Sequence, residues 1–377
     1  MILLLAFLFQ LEQADEAFRA GEFDKAATLA RQAVARDPSA LHAHLILGVI
    51  AAQNNQWDTS TRHFLTVVKL DPANPHGYFY LGQAKLYQQQ WAQAADYFNK
   101  AIARKYPDTP RVMIELAMAQ QELGRPAQAL ETLAKNPPPA DPRQAAQFHG
   151  VTAFALGKLH RHADAIESVQ RALQLDDSNV HYWDFLIDSL IKNDEAPRAL
   201  AQAILAQRKF PDHADTQFLF ALASHHVVES PLSKLALRNL REAEPDSPRV
   251  LLAEGLLYRK EGKTELATAA FQRAALRGAP DAHLLLGIVY KENGDYTAAE
   301  TAYREAERRN PSNPQLSLEL GKLYLANGQL EPARQRLEKA LQLTPESPAI
   351  HYQLGLLYRR LGQTEKAQEH LKKSKQP

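Results

Sequence analysis

Residues 320–337 read LGKLYLANGQLEPARQRL and residues 354–371 read LGLLYRRLGQTEKAQEHL, with apolar, small and polar positions at matching offsets 34 residues apart. The spacing runs the length of the chain. In a 34-slot frame with the glycine of each Leu-Gly pair in slot 8, that slot holds Ala14, Gly48, Gly82, Ala117, Ala153, Ile187, Ala221, Gly255, Gly287, Gly321 and Gly355. Slot 20 holds Ala26, Ser60, Ala94, Ala129, Ala165, Ala199, Ser233, Ala267, Ala299, Ala333 and Ala367. Slot 24 holds Ala30, Phe64, Phe98, Leu133, Val169, Ala203, Leu237, Phe271, Tyr303, Leu337 and Leu371, all apolar. Slots 20, 24 and 27 are four and three apart, so they share one helix face. The pattern predicts two helices per unit whose backbones approach closely at slots 8 and 20. The slot-24 side chain fills the space beside that contact.

The punctuation agrees. Gly21, Gly124, Gly262, Gly294, Gly328 and Gly362 mark a turn between the two helices, where a residue accepting positive φ ends a helix well. Pro126, Pro197, Pro231 and Pro332 follow their turns closely, within reach of a helix's first turn. A second proline punctuation ends units at 37–38, 71–72, 210–211, 244–245, 310–311 and 344–345. No strand pattern occurs. The expected fold is all-α, about eleven helical hairpins in series.

Tyr78, Leu81 and Gly82 with Ala94, Phe98 and Ala101, and Leu286, Gly287 and Tyr290 with Ala299, Tyr303, Ala306 and Pro311, carry a specific likeness. The chain resembles the tetratricopeptide repeat (TPR) family over roughly residues 7–377. The resemblance implies a right-handed superhelical solenoid of about eleven helix-turn-helix repeats, with the first helix of each pair lining the concave surface.

Three places depart from the period. NPPPADP at 136–142 replaces the end of the fourth unit's second helix, and successive prolines cannot continue a helix. The expected organisation is therefore repeats 1–4 over 7–136, a proline-rich seam at 137–145, and repeats 5–11 over 146–377. VVESP at 227–231 stands where a turn glycine is expected, and the eighth unit is two residues short at 276–282. At the C-terminus Lys372, Lys373, Ser374 and Lys375 give the polar face that a capping repeat needs. Residues 1–10 open with MILLLAFLF, too short to span a bilayer as a helix. The run has the length of a signal-peptide core, which implies an exported or envelope-associated protein. The alternative is an N-terminal extension that begins the first helix of a cytoplasmic protein.

Composition removes several function classes. With 44 basic and 43 acidic residues among 377, the chain lacks the basic excess of a nucleic-acid binder. It has no cysteine, hence no disulfide, thiolate nucleophile or cysteine–zinc site. EGKTE at 261–265 contains Gly-Lys-Thr, but Leu257 stands where a phosphate loop needs glycine, and no strand precedes it. His42 and His44, HRH at 160–162 and HH at 225–226 lack ligand spacing with an acidic third partner. No metal, no cofactor and no enzymatic activity are expected.

What remains is a surface. Slot 5 reads Leu45, Phe79, Ile114, Gly150, Asp184, Phe218, Leu252, Leu284, Leu318 and Tyr352; slot 9 reads Val49, Gln83, Met118, Phe154, Asp188, Leu222, Leu256, Ile288, Lys322 and Leu356. Tyr80, Tyr87 and Phe185 lie close by, and slots 12 and 13 bring Lys158, Lys192, His225, His226, Arg259, Lys260, Lys291, Arg359 and Arg360. Either these apolar residues form a partly aromatic floor with a basic edge, or they pack between adjacent helices while the bases form a solvated rim. The first alternative makes Phe79, Tyr80, Tyr87, Phe154, Lys158, Phe185, Lys192, Phe218, Leu222, Leu252, Leu256, Arg259, Lys260, Lys291, Tyr352 and Arg359 the partner-binding residues. It suits an extended protein or peptide segment with apolar and acidic groups. The Asn- and Lys-based carboxylate clamp of chaperone-binding relatives is not matched, since slot 9 never holds Asn and slot 5 never holds Lys. The expected function is a non-enzymatic protein–protein interaction scaffold. The alternative is a regulatory or substrate-recruiting subunit of an enzyme or export complex, for example one handling glycans or polysaccharides.

Overall fold

A computed structural model describes residues 2–227, 232–245, 247–345 and 347–375. The side chains of 2–9, 226, 232, 233 and 243 lie outside that description, as do residues 228–231. The apolar side chains of MILLLAFLF, most of VVESP, the His226 ring and Ser233 of slot 20 therefore lie outside the described residues.

Two compact units divide the chain, Met1–Lys158 with Gln174–Asp176, and Leu159–Leu173 with Asp177–Pro377. Helices of the first unit are α1 (Ile2–Arg19), α2 (Phe23–Arg36), α3 (Leu41–Gln53), α4 (Trp57–Leu70), α5 (Pro75–Tyr87), α6 (Trp91–Ala103), α7 (Thr109–Glu122), α8 (Pro126–Leu133) and α9 (Pro142–Lys158). The second unit takes α10 (His162–Leu175) up to its last turn, then α11 (Val180–Lys192), α12 (Ala196–Lys209), α13 (Ala214–His226), α14 (Leu232–Ala243), α15 (Pro248–Lys260) and α16 (Thr264–Leu276). It continues with α17 (Ala282–Glu292), α18 (Tyr296–Arg309), α19 (Pro314–Ala326), α20 (Leu330–Leu343), α21 (Pro348–Arg360) and α22 (Thr364–Lys373). Among the described residues there is no strand, and no helix is long and apolar enough to cross a membrane.

Within each unit an odd-numbered helix packs on the even one after it, and first helices of successive hairpins also touch, as α5 and α7 or α13 and α15 do. The contact between helices is the one the period predicts. A Cβ added to Gly48 would stand 2.6 Å from the Phe64 ring, and one on Gly82 2.5 Å from Phe98. In the second unit a Cβ on Gly321 would meet Leu337 at 2.6 Å, while Gly255 and Gly287 face Phe271 and Tyr303 more tightly still. Slot 8 is small because slot 24 occupies the space of its side chain. Ala94, Ala129, Ala267, Ala299 and Ala333 of slot 20 are fully buried beside that contact.

Local chemistry sets the helix ends. Gly124, Gly262 and Gly328 end first helices at φ of 70 to 74°, and the following amide closes the turn, as Arg125 N–H does on Gln120 C=O. Four hairpins make the same turn without glycine, through Asn55, Gln89, His160 and Asp194 at φ of 58 to 59°. Several first helices start with proline after a capping residue. The Asn74 side chain accepts from Gly77 N–H and the Asn313 side chain from Leu316 N–H, satisfying amides a helix start leaves open.

The proline stretch breaks the helix as expected: α8 ends at Leu133 and α9 begins at Pro142. This break lies inside the first unit, where α9 packs on α7 and α8. Asp141 Oδ1 accepts from Gln144 N–H at α9's start, and Gln144 Nε2–H reaches back to Asp108 Oδ2 at 3.0 Å. The division between compact units falls one helix later, after Lys158.

Candidate functional site

The first helices supply the candidate surface in each unit. In the first unit Phe79 is fully buried, stacked on Tyr106 at 4.3 Å between ring centroids and packed against Phe98. It belongs to the core, which corrects its expected place on the floor. Tyr80 is half-buried and stacks on Phe64. Tyr87 is 64% exposed and lies flat on Trp57 at 4.4 Å, a two-ring aromatic platform at the end of α5. On α9, Phe154 is half-buried and Lys158 exposed.

In the second unit the apolar row splits. Leu252 and Leu256 on α15 are buried, which again corrects the expectation of an open floor. Phe185 on α11, and Phe218 and Leu222 on α13, are half-buried. Phe218 and Leu222 rest on the cluster that contains Leu252 and Leu256, and the Arg249 guanidinium lies 5.8 Å from the Phe218 ring centre. Tyr352 on α21 is 48% exposed. Leu252 and Leu256 close because they cluster with Ala282, Leu286 and Val289 of the next first helix, α17.

The expected basic edge is mostly engaged within the protein. Arg259 holds the Glu292 carboxylate with two nitrogens, Nε at 2.9 Å and Nη2 at 2.6 Å. Lys260 Nζ donates to the carbonyls of His225 and Val227 at 2.9 and 2.6 Å. Arg360, in the same slot as Lys260, donates to Leu325 C=O at 2.6 Å. Both cap the carbonyl end of the preceding repeat's first helix, where positive charge is favoured. Lys192 pairs with Asp188, and Lys291 with Glu319. Among the described residues, Lys158 and Arg359 form no ion pair. The bases are therefore mostly clasps between repeats, a role invisible until the partner helix is in place.

EGKTE is the turn between α15 and α16, with Gly262 at φ 72° and Lys263 paired to Glu261.

One cluster went unseen in the sequence. Asp184 on α11, and His213 and Asp215 at the start of α13, each bring one ligand-capable atom within 4.8 Å of the others. The residues follow no motif spacing; their proximity arises because slot 5 of one repeat faces the start of the next. The signal that could have exposed them is Asp184 itself, an acid in a mostly apolar slot.

Models described as "Tetratricopeptide repeat" match residues 11–75, 79–145, 252–314 and 284–348, and a second such model matches 337–369. No curated protein matches the sequence. Among solved structures, the chain is similar to one in the crystal structure of the APC/C hetero-tetramer Cut9-Hcn1, at 13% identity and a TM-score of 0.53, covering 96% of this chain and 85% of that one. It also aligns with yeast Tom70 at 12% identity and a TM-score of 0.42, covering 98% of this chain and 84% of that one. At 13% identity the first likeness concerns the fold alone.

Proposed function

This chain belongs to the tetratricopeptide repeat family, and on that premise we propose that it is a non-enzymatic scaffold that binds an extended protein segment along its first helices. The observation that carries the reading is the split in the second unit. Phe185, Phe218 and Leu222 keep part of their apolar surface open, while Leu252 and Leu256, in the cluster on which Phe218 and Leu222 rest, are closed. Half-open aromatic side chains resting on a rigid core make a surface that costs little ordering entropy when a partner covers it. Because most bases are tied to repeat-to-repeat clasps, affinity rests on apolar burial more than on charge. In the second unit Arg359, which forms no ion pair among the described residues, remains for acidic groups.

The test is a peptide-display selection on the intact chain, followed by binding curves and melts of Phe185→Ala and Phe218→Ala. The expected result is selection of segments with two or more apolar residues, and about 30-fold weaker binding for each variant, the roughly 2 kcal/mol that buried aromatic anchors carry. Helicity and melting should stay near those of the parent. Unchanged affinity in both variants would move the binding surface elsewhere.

A further inference from the structure

We propose that Asp184, His213 and Asp215 form a binding site for a divalent transition cation, zinc in the first instance, that fastens α11 to α13. His213 Nδ1 and Asp184 Oδ2 stand 3.3 Å apart. Two ligands of a tetrahedral zinc ion at its usual bond lengths are separated by about 3.3 Å, so this pair is already spaced to share an ion. Asp184 Oδ2 is buried and has no hydrogen-bond partner. Its other oxygen accepts from Thr216 Oγ1–H at 2.7 Å. Thr216 thereby spends its only proton, so at 3.1 Å it accepts from His213 Nδ1–H. The arrangement leaves one buried carboxylate oxygen without a hydrogen bond, the His213 nitrogen beside it being committed to Thr216. That situation is costly and calls for a cation.

Charge gives the same answer. Asp215 is paired with Arg249 through Oδ1, which leaves its second oxygen for a metal. Arg249 also lies 3.9 Å from Glu244, so one guanidinium serves two carboxylates and none reaches Asp184. Asp215 is 45% exposed and can swing the short distance needed to close on the ion. On binding, the His213 proton shifts from Nδ1 to Nε2 and the freed Nδ1 lone pair ligates; Thr216 keeps its hydrogen bond to Asp184 as outer-shell support. Imidazole with carboxylate oxygens favours zinc, nickel or copper over magnesium and calcium. Three protein ligands leave a fourth position for water, or for a group from a bound partner.

The test uses the full-length protein, stripped with a chelator and titrated with zinc by calorimetry. One site is expected, with a rise in melting temperature and no competition from millimolar magnesium. Asp184→Asn, which still accepts from Thr216, and His213→Gln should each weaken that site at least about tenfold, the loss that removing even an outer partner produces. His42→Gln, at an exposed histidine of the first unit, should leave it intact. Carbethoxylation of the unmutated protein reads the same site without a variant, since zinc should protect His213 and not His42. Zinc binding that survives in both site variants, no binding to the full-length chain, or equal modification of His213 with and without zinc would each overturn the proposal.

Discussion

Glu115 and Glu319 occupy the same slot of the repeat in different units, and their surroundings push them in opposite directions. Glu115, on α7, accepts from the neutral Gln83 amide at 3.0 Å. Burial raises its carboxyl above the ordinary value, against smaller lowering by Gln83 and Arg111. Glu319, on α19, is only 4% exposed, and burial pushes it up too. Lys322 and Lys291 together outweigh that, so its carboxyl ends below the ordinary value. The contrast extends across the units. Contacts between repeats in the first rely on amides and carbonyls, as in Gln88 to Asp58, Gln121 to Val151 C=O and Arg104 to Pro72 C=O. In the second, ion pairs such as Arg249–Asp215, Arg259–Glu292 and Arg336–Glu307 join the carbonyl contacts of Lys260 and Arg360. One backbone geometry thus tolerates either kind of clasp, because the apolar contact of slots 8 and 24 carries the fold beneath both.

That division predicts which changes should act alike in the two units. Gly82→Leu and Gly321→Leu should each cost about 1–3 kcal/mol by overpacking against Phe98 and Leu337. Thermal melts check this; a silent Gly321→Leu would mean that charge, rather than packing, holds the second unit.

Glu319→Gln and Glu115→Gln should separate the units. The first leaves Lys291 and Lys322 without their carboxylate and should cost about 1–2 kcal/mol at pH 7. The second removes a charge that burial disfavours and should be neutral or stabilising. The pH dependence follows from the same shifts. Glu319's contribution is present above the ordinary carboxylate value and is lost as pH falls through its lowered one. Glu115 gains on acidification, as pH falls through its raised value towards the ordinary one. The stability difference between each variant and the parent, followed by denaturant melts from pH 7 to about pH 3, should change with opposite slopes; parallel slopes would erase the contrast.

Two histidine pairs should respond identically despite lying in different units. His44 and His351 share a slot; each faces a histidine on the second helix, His63 or His370, with Nδ1 atoms 2.9 Å apart. Each also bonds through Nε2 to a proline carbonyl six residues earlier, Pro38 or Pro345. An added proton would place a positive charge in a half-buried site beside another imidazole. Burial, then His44, hold His63 down at about 4 against an ordinary 6.5; burial, then His351, lower His370. A depressed histidine keeps its stabilisation above the ordinary value and loses it as pH falls below, so about 1 kcal/mol should disappear between pH 7 and pH 5. His63→Gln should flatten that part of the profile, and an unaltered profile would remove the pair as its source.

The smallest effects belong to the turns. Gly328 adopts φ 74° and Gln89 reaches φ 58° at the equivalent position. Gly328→Ala should lose about 1 kcal/mol and Gln89→Gly should gain somewhat less, since left-handed backbone strains any residue with a Cβ. Paired melts would measure both; a loss on Gln89→Gly would show that its side chain compensates elsewhere.

The periodic part of this protein was legible in its residues. Gly82 against Phe98, Gly287 against Tyr303 and the glycine turns repeat a local rule, and a rule stated eleven times over 377 residues is visible without coordinates. The all-α fold and the helical hairpins follow from it, because helix periodicity and turn chemistry act over a few residues. The fate of the first-helix side chains does not. Phe79 is core while Tyr87, two turns along the same helix, is open; Leu252 is closed while Phe218, one repeat earlier, is half-open. Lys260 became a helix cap, and Asp184 met His213 and Asp215. Each outcome depends on which side chains of the neighbouring repeat come to lie against these positions, which the summed packing of many side chains decides. A 34-residue period fixes which residues recur; only the packed helices fix which of them face each other and which face solvent.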